Sequence, residues 1–203
     1  MSVRQRIDLQ TARMTRLAPE GFFYALHIRF ALPLLHYQSY PKGWIETYTS
    51  QAYALRDPII AWGFSQTGTT RWSEITLLDP LDILPQARAY GMNYGLAVSV
   101  GPMQSRTIAS AARHDREFTG PEITAFAALV NDLHNNTEPP TSLTRAQAEA
   151  LTSVANGDRY AAAAAKLNIS ESAFKARLAS ARATLLARTT AEAVQRAKEY
   201  RLI

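Results

Sequence analysis

The sequence predicts an α+β domain followed by a small all-α helix-turn-helix domain, and three observations carry that division. Residues 1–142 hold 12 cationic and 12 anionic side chains, whereas residues 143–203 hold 10 Lys and Arg against 5 Asp and Glu, so the whole +5 excess is C-terminal. The strongest break in the chain, Pro139-Pro140, sits just before that change of charge. Hydrophobic periodicity changes at the same place, from a mixture of twofold and 3.6-fold patterns to a helical pattern alone.

Taken in order, Gly21 to His36 is mostly apolar and reads as helix up to Pro33. Lys42 to Ala54 and Pro58 to Phe64 read as helices. Tyr94 to Val100 and Arg106 to Ala111 alternate or run apolar as neighbouring strands do, and Gly101-Pro102 supplies the turn of a hairpin. Pro121 to His134 closes the first domain as a helix, with Pro in the first turn and Ile123, Phe126, Ala127 and Val130 on one face. These patterns set the first domain at 1–134 and a linker at 135–142.

Residues 143–203 read as four short helices. Thr144 and Gln147 have capping-box spacing, and Gly157 ends the first helix. Ala161 to Ala165 favour helix and allow close approach of a neighbour. Asn168 suits a left-handed turn and Ser170 suits a new N-cap. From Glu171 to about Leu185, Phe174, Leu178, Ala181 and Leu185 define the buried face. Ser172, Lys175, Ala176, Ala179, Ser180 and Ala183 lie on the opposite arc, with Arg177 and Arg182 at its edges. Small residues flanked by cations suit a helix inserted in a DNA groove, where Lys and Arg neutralise phosphates and Ser donates to phosphate or base. The candidate DNA contacts are Ser170, Ser172, Lys175, Arg177, Ser180 and Arg182. The charge asymmetry by itself also suits ribosomal or membrane-surface binding.

Composition narrows the chemistry. There are no cysteines, and the four histidines lack HExxH spacing, which argues against a metal site. No cofactor is expected. No apolar run is long enough to cross a bilayer and the N-terminus lacks a signal-peptide core, so a cytoplasmic protein with no membrane partner is expected. Ser65 lies in Gly63-Phe64-Ser65-Gln66-Thr67, which lacks the second glycine of a nucleophile elbow. An enzyme is therefore not expected.

Tyr40-Pro41, Trp44, Tyr48, Asp57-Pro58 and Trp72, followed by Gly91 and Gly95, resemble in order and spacing the ligand-pocket signature of LuxR-type quorum-sensing regulators. That resemblance covers nearly the whole chain and continues through Leu143-Thr144, Leu151, Gly157, Ile169-Ser170 and Lys175. It implies an N-terminal α/β/α sandwich around an antiparallel sheet that binds an N-acyl-homoserine lactone, a helix-turn-helix that binds double-stranded DNA, and a homodimer. By the same resemblance, Trp44 donates to the lactone carbonyl, Asp57 accepts from the ligand amide, and Tyr48 bonds the first acyl carbonyl. Tyr40 and Trp72 line the pocket, and Ser110 reaches the acyl chain or its carbonyl. The C-terminal part departs from the family at Gln147, Ala162-Ala163, Ala173-Phe174, Arg177 and Thr184, which removes several polar positions from the DNA-facing surface. A second reading follows: an orphan regulator without an acyl-lactone ligand, or a non-activating partner that captures a full regulator as a heterodimer.

Overall fold

The computed structural model describes residues 3–29, 32–138 and 140–203, which form two compact units, Met1–Glu138 and Pro139–Ile203. The first contains a five-stranded antiparallel sheet, β1 (Phe22–Ile28), β2 (Leu35–Gln38), β3 (Gly68–Arg71), β4 (Tyr94–Val100) and β5 (Arg106–Arg113), in the order β2-β1-β5-β4-β3. One face carries α1 (Val3–Leu17) and α5 (Gly120–Asn136); Met14, Phe126, Val130 and Leu133 pack there against Phe22, Tyr24, Leu26, Leu96 and Val98. The other face carries α2 (Lys42–Ser50), α3 (Pro58–Ser65) and α4 (Ile83–Arg88) around an aromatic core.

The central strands are covered on both faces, which is why β5 is buried at all eight positions. The same circumstance corrects the expected helix over Gly21 to Pro33: Phe22–Ile28 is strand β1, and Phe30 and Ala31 lie outside the described residues. A strand buried on both sides reads as a continuous apolar run, and period alone does not separate it from a buried helix. Its aromatics decide the matter: Phe22 and Tyr24 face α5 and Phe23 faces the opposite layer. The helix expected over Lys42 to Ala54 stops at Ser50, because Ala52 turns left-handed at φ 52° before a 3₁₀ turn at Tyr53–Leu55.

Strand β1 is bulged between Ala25 and Ile28, and His27 occupies that bulge at φ 50°. The His27 ring bonds Ser105 Oγ at 2.8 Å and the His134 carbonyl at 2.9 Å, and it stacks on the His134 ring at 4.3 Å. Burial holds His27 at a pKa of about 4 and also lowers His134. At the helix's other end, Glu122 accepts from the backbone N–H of Thr119 and bonds both Arg113 and Arg116, fixing the start of α5. Helix α5 continues to Asn136 and Thr137 is buried, so the first residues of the expected linker belong to this unit.

The second unit is α6 (Arg145–Ala155), α7 (Tyr160–Lys166), α8 (Glu171–Thr184) and α9 (Thr190–Glu199). Thr144 and Gln147 form the expected capping box, Asn168 turns at φ 53°, and Ser170 Oγ accepts from the Ala173 N–H at 3.1 Å. Phe174, Leu178, Ala181 and Leu185 are buried with Ala163 and Ala164 of α7, so the alanine tract packs as a helix face. Among the described residues no helix is long and apolar enough to cross a membrane.

Candidate ligand-binding site

Between the sheet and the layer of α2, α3 and α4 lies a cavity of about 180 Å³ with a predominantly apolar lining. Five of the six expected pocket residues, Tyr40, Trp44, Tyr48, Asp57 and Trp72, line it together. Local sequence accounts for how each is held. Asp57 is the N-cap of α3, accepting from the Ile59 N–H at 2.7 Å, and Pro58 occupies the first turn, where a missing N–H costs nothing. Trp44 and Tyr48 stand one turn apart on α2 with their rings 5.7 Å apart, edge to face.

The polar end is compact. Tyr48 donates its hydroxyl to Asp57 Oδ2 at 2.6 Å. Asp57 is 4% exposed, and burial pushes its carboxyl above the ordinary aspartate value against the lowering effect of the Tyr48 bond. Burial and the adjacent carboxyl push the Tyr48 phenol up, and burial does the same to Tyr40, so both remain protonated donors. The Trp44 indole N–H has no hydrogen-bond partner among the described residues, although the residue is only 5% exposed. An indole, a phenol and a carboxyl with spare acceptor capacity thus line an aromatic-walled space. That set suits a neutral molecule with a carbonyl and an amide N–H; a second carboxylate would meet Asp57.

Ser110 is placed differently from expectation. It is fully buried behind the wall, not among the lining residues. Its hydroxyl is used within the protein: it accepts from the Trp72 indole at 2.8 Å and donates to the Leu96 carbonyl at 2.8 Å, while its own carbonyl accepts from the Tyr40 hydroxyl at 3.0 Å. Gly95 makes this arrangement possible, because a Cβ there would lie 2.1 Å from Trp72 Cε2. Ser110 therefore positions two walls of the cavity instead of touching its contents.

Several lining residues were not anticipated: Phe23, Gln38, Ile59, Ile60, Ile83, Leu84 and Ala87. Phe23 lies on β1, a stretch whose apolar pattern suggests a helix. The α4 residues had a usable signal in Asp79-Pro80, since both carboxylate oxygens of Asp79 cap α4 by accepting from the Ile83 and Leu84 N–H groups at 2.8 Å.

The autoinducer-binding-domain model matches residues 3–136 of the 203. The chain belongs to the autoinducer-binding-domain family. This is the ligand-binding part of the LuxR-type regulators that the sequence resembles. Autoinducer-binding domains take small-molecule signals in place of cofactors and are not enzymes. A search of curated proteins finds no match. Among solved structures, Escherichia coli SdiA is similar at 20% identity and TM-score 0.53, over 99% of this chain and 90% of that one. A second structure, SdiA in complex with octanoyl-rac-glycerol, is similar at 16% identity and TM-score 0.55, over 98% of this chain and 89% of that one. CepR2 of Burkholderia cenocepacia, described as an N-acylhomoserine-lactone-dependent LuxR-family transcription factor, is similar at 19% identity and TM-score 0.51, over 66% of this chain and 82% of that one. These likenesses establish the shared fold.

The residues expected to face DNA are distributed along α8 and its cap, and most are engaged within the unit. Ser170 caps α8 and bonds Ser172 Oγ at 2.9 Å. Lys175 pairs with Glu171 at 2.6 Å, and Arg177 pairs with Glu149 of α6 at 3.5 Å. Ser180 accepts from Gln147 Nε2 at 3.0 Å, and the same amide reaches Thr184 at 2.9 Å, so Ser180 faces α6 in spite of its exposure. Arg182 is half-buried, and its Nε has no partner among the described residues.

Proposed function

We propose that this protein is a ligand-responsive transcriptional regulator that senses an N-acyl-homoserine lactone and binds double-stranded DNA through α7 and α8 as a cytoplasmic homodimer. The observation that carries the reading is the polar end of the cavity. Trp44 donates to the lactone carbonyl, Asp57 accepts from the amide N–H, and Tyr48 turns part of its bonding from Asp57 to the acyl carbonyl. SdiA, of similar fold, is described with octanoyl-rac-glycerol, a neutral amphiphile, which supports the class of ligand.

In the second unit, Ser172 and Lys175 are exposed on α8, and the tight turn at Asn168 sets α7 and α8 as a helix-turn-helix. One such module gives little affinity, so two half-sites read by a dimer are expected. A ligand that binds only the folded form stabilises it by RT ln(1 + [L]/Kd), about 2.7 kcal/mol at a hundredfold excess. Thermal shift across a panel of acyl-homoserine lactones, followed by a DNA-binding assay with and without the ligand found, tests the reading. A melting temperature unmoved by every lactone sinks it.

A second reading, a regulator that has lost specific DNA binding and acts by capturing a full regulator as a heterodimer, is favoured by the internal use of Ser180, Arg177 and Lys175. It predicts ligand binding or none, with no retention of its own upstream DNA.

A further inference from the structure

The lining of the cavity is buried or half-buried except at two residues, Gln38 and Ala54, so water reaches it at two places. The two edges are held differently. Gln38 lies on β2 in register with Phe23 of β1, and that edge opens only by breaking a sheet ladder. Ala54 belongs to the 3₁₀ turn Tyr53–Leu55, which no ladder holds. Among the described residues, the hydrogen bond that joins this turn to α4 runs from the Tyr53 hydroxyl to Gln86 Oε1 at 2.8 Å. The same amide donates through Nε2 to the Leu81 carbonyl at 2.7 Å and so holds the loop before α4 as well. Gln86 is only half-buried, so water competes for both bonds.

Each side of this edge starts at a left-handed residue that is not glycine. Ala52, at φ 52° and ψ 37°, precedes the turn, and Asp82, at φ 51° and ψ 39°, precedes α4. Alanine rarely adopts that conformation, and such element-terminal positions are where a chain absorbs a change of backbone angle. Local bonds keep each side coherent: the Arg56 N–H donates to the Tyr53 carbonyl at 2.9 Å, and the Asp79 carboxylate accepts from the Ile83 and Leu84 N–H groups at 2.8 Å. Leu55 in the turn and Leu78 in the loop before α4 are 85% and 89% exposed, an apolar surface for the chain of an amphiphile.

We infer that the ligand enters and leaves the cavity between the Tyr53–Leu55 turn and α4, and that Gln86 is the latch of this mouth. The inference rests on the cavity being the ligand site and does not depend on which signal it takes. The Tyr53 ring stands 6.0 Å from that of Trp44 and 5.9 Å from that of Tyr48, so the latched turn closes behind two residues expected to hold the polar head. Neither Gln86 nor Tyr53 lines the cavity. Loss of their bond frees the turn without removing a lining group, so exchange accelerates in both directions and affinity changes little.

The test compares the full wild-type chain with Gln86→Met and Tyr53→Phe, which remove the bond and keep the bulk of the side chain. Stopped-flow mixing with octanoyl-homoserine lactone gives the association and dissociation rate constants. Both are expected to rise about fivefold in each variant, the weight of one net hydrogen bond, with Kd within about twofold of the wild type. Rate constants unchanged in both variants, or a weakened Kd at an unchanged association rate, overturn the latch and leave ligand binding intact. A ligand-free arm measures amide hydrogen exchange, expected to speed up about fivefold over residues 53–56 and 83–88 and to stay unchanged in β4 and β5. Unchanged exchange in those two segments overturns the latch whether or not the lactone binds. If octanoyl-homoserine lactone does not bind the wild type, the lactone reading loses its support and the exchange arm alone decides the latch.

Discussion

The cavity of the first unit and the exposed side of α8 both carry polar residues that the sequence marks for recognition, but the two regions use them in opposite ways. In the cavity, the Trp44 N–H has no hydrogen bond among the described residues, and Asp57 keeps acceptor capacity beyond its bonds to Tyr48 and Ile59. On α8, the hydroxyl of Ser180 and the charges of Arg177 and Lys175 are already matched by groups of the same unit. Polar groups that line a cavity without a protein partner are available to a complementary molecule. Matched groups on a surface must first give up a partner. The first arrangement favours selectivity for one ligand; the second leaves mainly charge to act on a polyanion.

The largest test of that contrast is Asp57→Asn. A carboxyl whose folded pKa is raised by burial costs stability above its unfolded pKa, as the buried charge forms. The amide is therefore expected to stabilise the empty protein at neutral pH, read as a rise in Tm. Lactone affinity should fall by about a hundredfold, because the amide oxygen is a weaker acceptor than the carboxylate. A variant that binds lactone normally would show that Asp57 is a structural cap only.

Acid should separate the two regions. All four histidines lie in the first unit. His27 is held at about 4 and His134 is lowered, so the folded form resists protonation. The stability they support is complete above the unfolded value of about 6.5 and is lost as pH falls toward 4, up to about 3 kcal/mol for His27. The pH dependence of melting should flatten over that window in His27→Asn, which tolerates the left-handed backbone; an unchanged profile would assign the acid sensitivity elsewhere.

Ser110→Ala should come next in size. It strands the Trp72 N–H at a cost of about 1–3 kcal/mol, and loosens one wall of the cavity. Lactone affinity should weaken in step with this loss, and Ser110→Thr, which keeps the hydroxyl, should recover part of it.

The smallest effect is expected on α8, where Glu149→Gln releases Arg177 from its ion pair. If α8 contacts phosphates, DNA affinity should rise a few-fold and the slope of log K against log salt should steepen by ~0.9. No change in slope would mean that Arg177 stays away from the duplex.

The second unit was the more legible in the sequence, because its signals are local. The Thr144 and Gln147 capping box, the left-handed Asn168 and the Ser170 cap each depend on neighbours within four residues. The cavity was legible through the resemblance of Tyr40, Trp44, Tyr48, Asp57 and Trp72, in order and spacing, to the family's pocket signature. Its apolar lining was less so: Asp79-Pro80 marks the approach to α4, but that Ile83, Leu84 and Phe23 reach the cavity depends on the packing of helix on sheet. Ser110 illustrates the remaining difficulty: the residue was singled out, but its role depends on a strand partner, Leu96, and on the indole of Trp72, both far away in sequence.

The placement of the tryptophans has a practical consequence. Trp44, Trp62 and Trp72 are the chain's three, and all belong to the layer that encloses the cavity. The second unit has none, so indole emission from the intact protein reports on the first unit alone. Two of the three line the cavity, one with its ring nitrogen bonded and the other with no such bond among the described residues, so arrival of a ligand should alter them unequally. The molecule therefore carries its own optical probe of occupancy, and an unlabelled titration can follow ligand binding while DNA contacts stay spectroscopically silent.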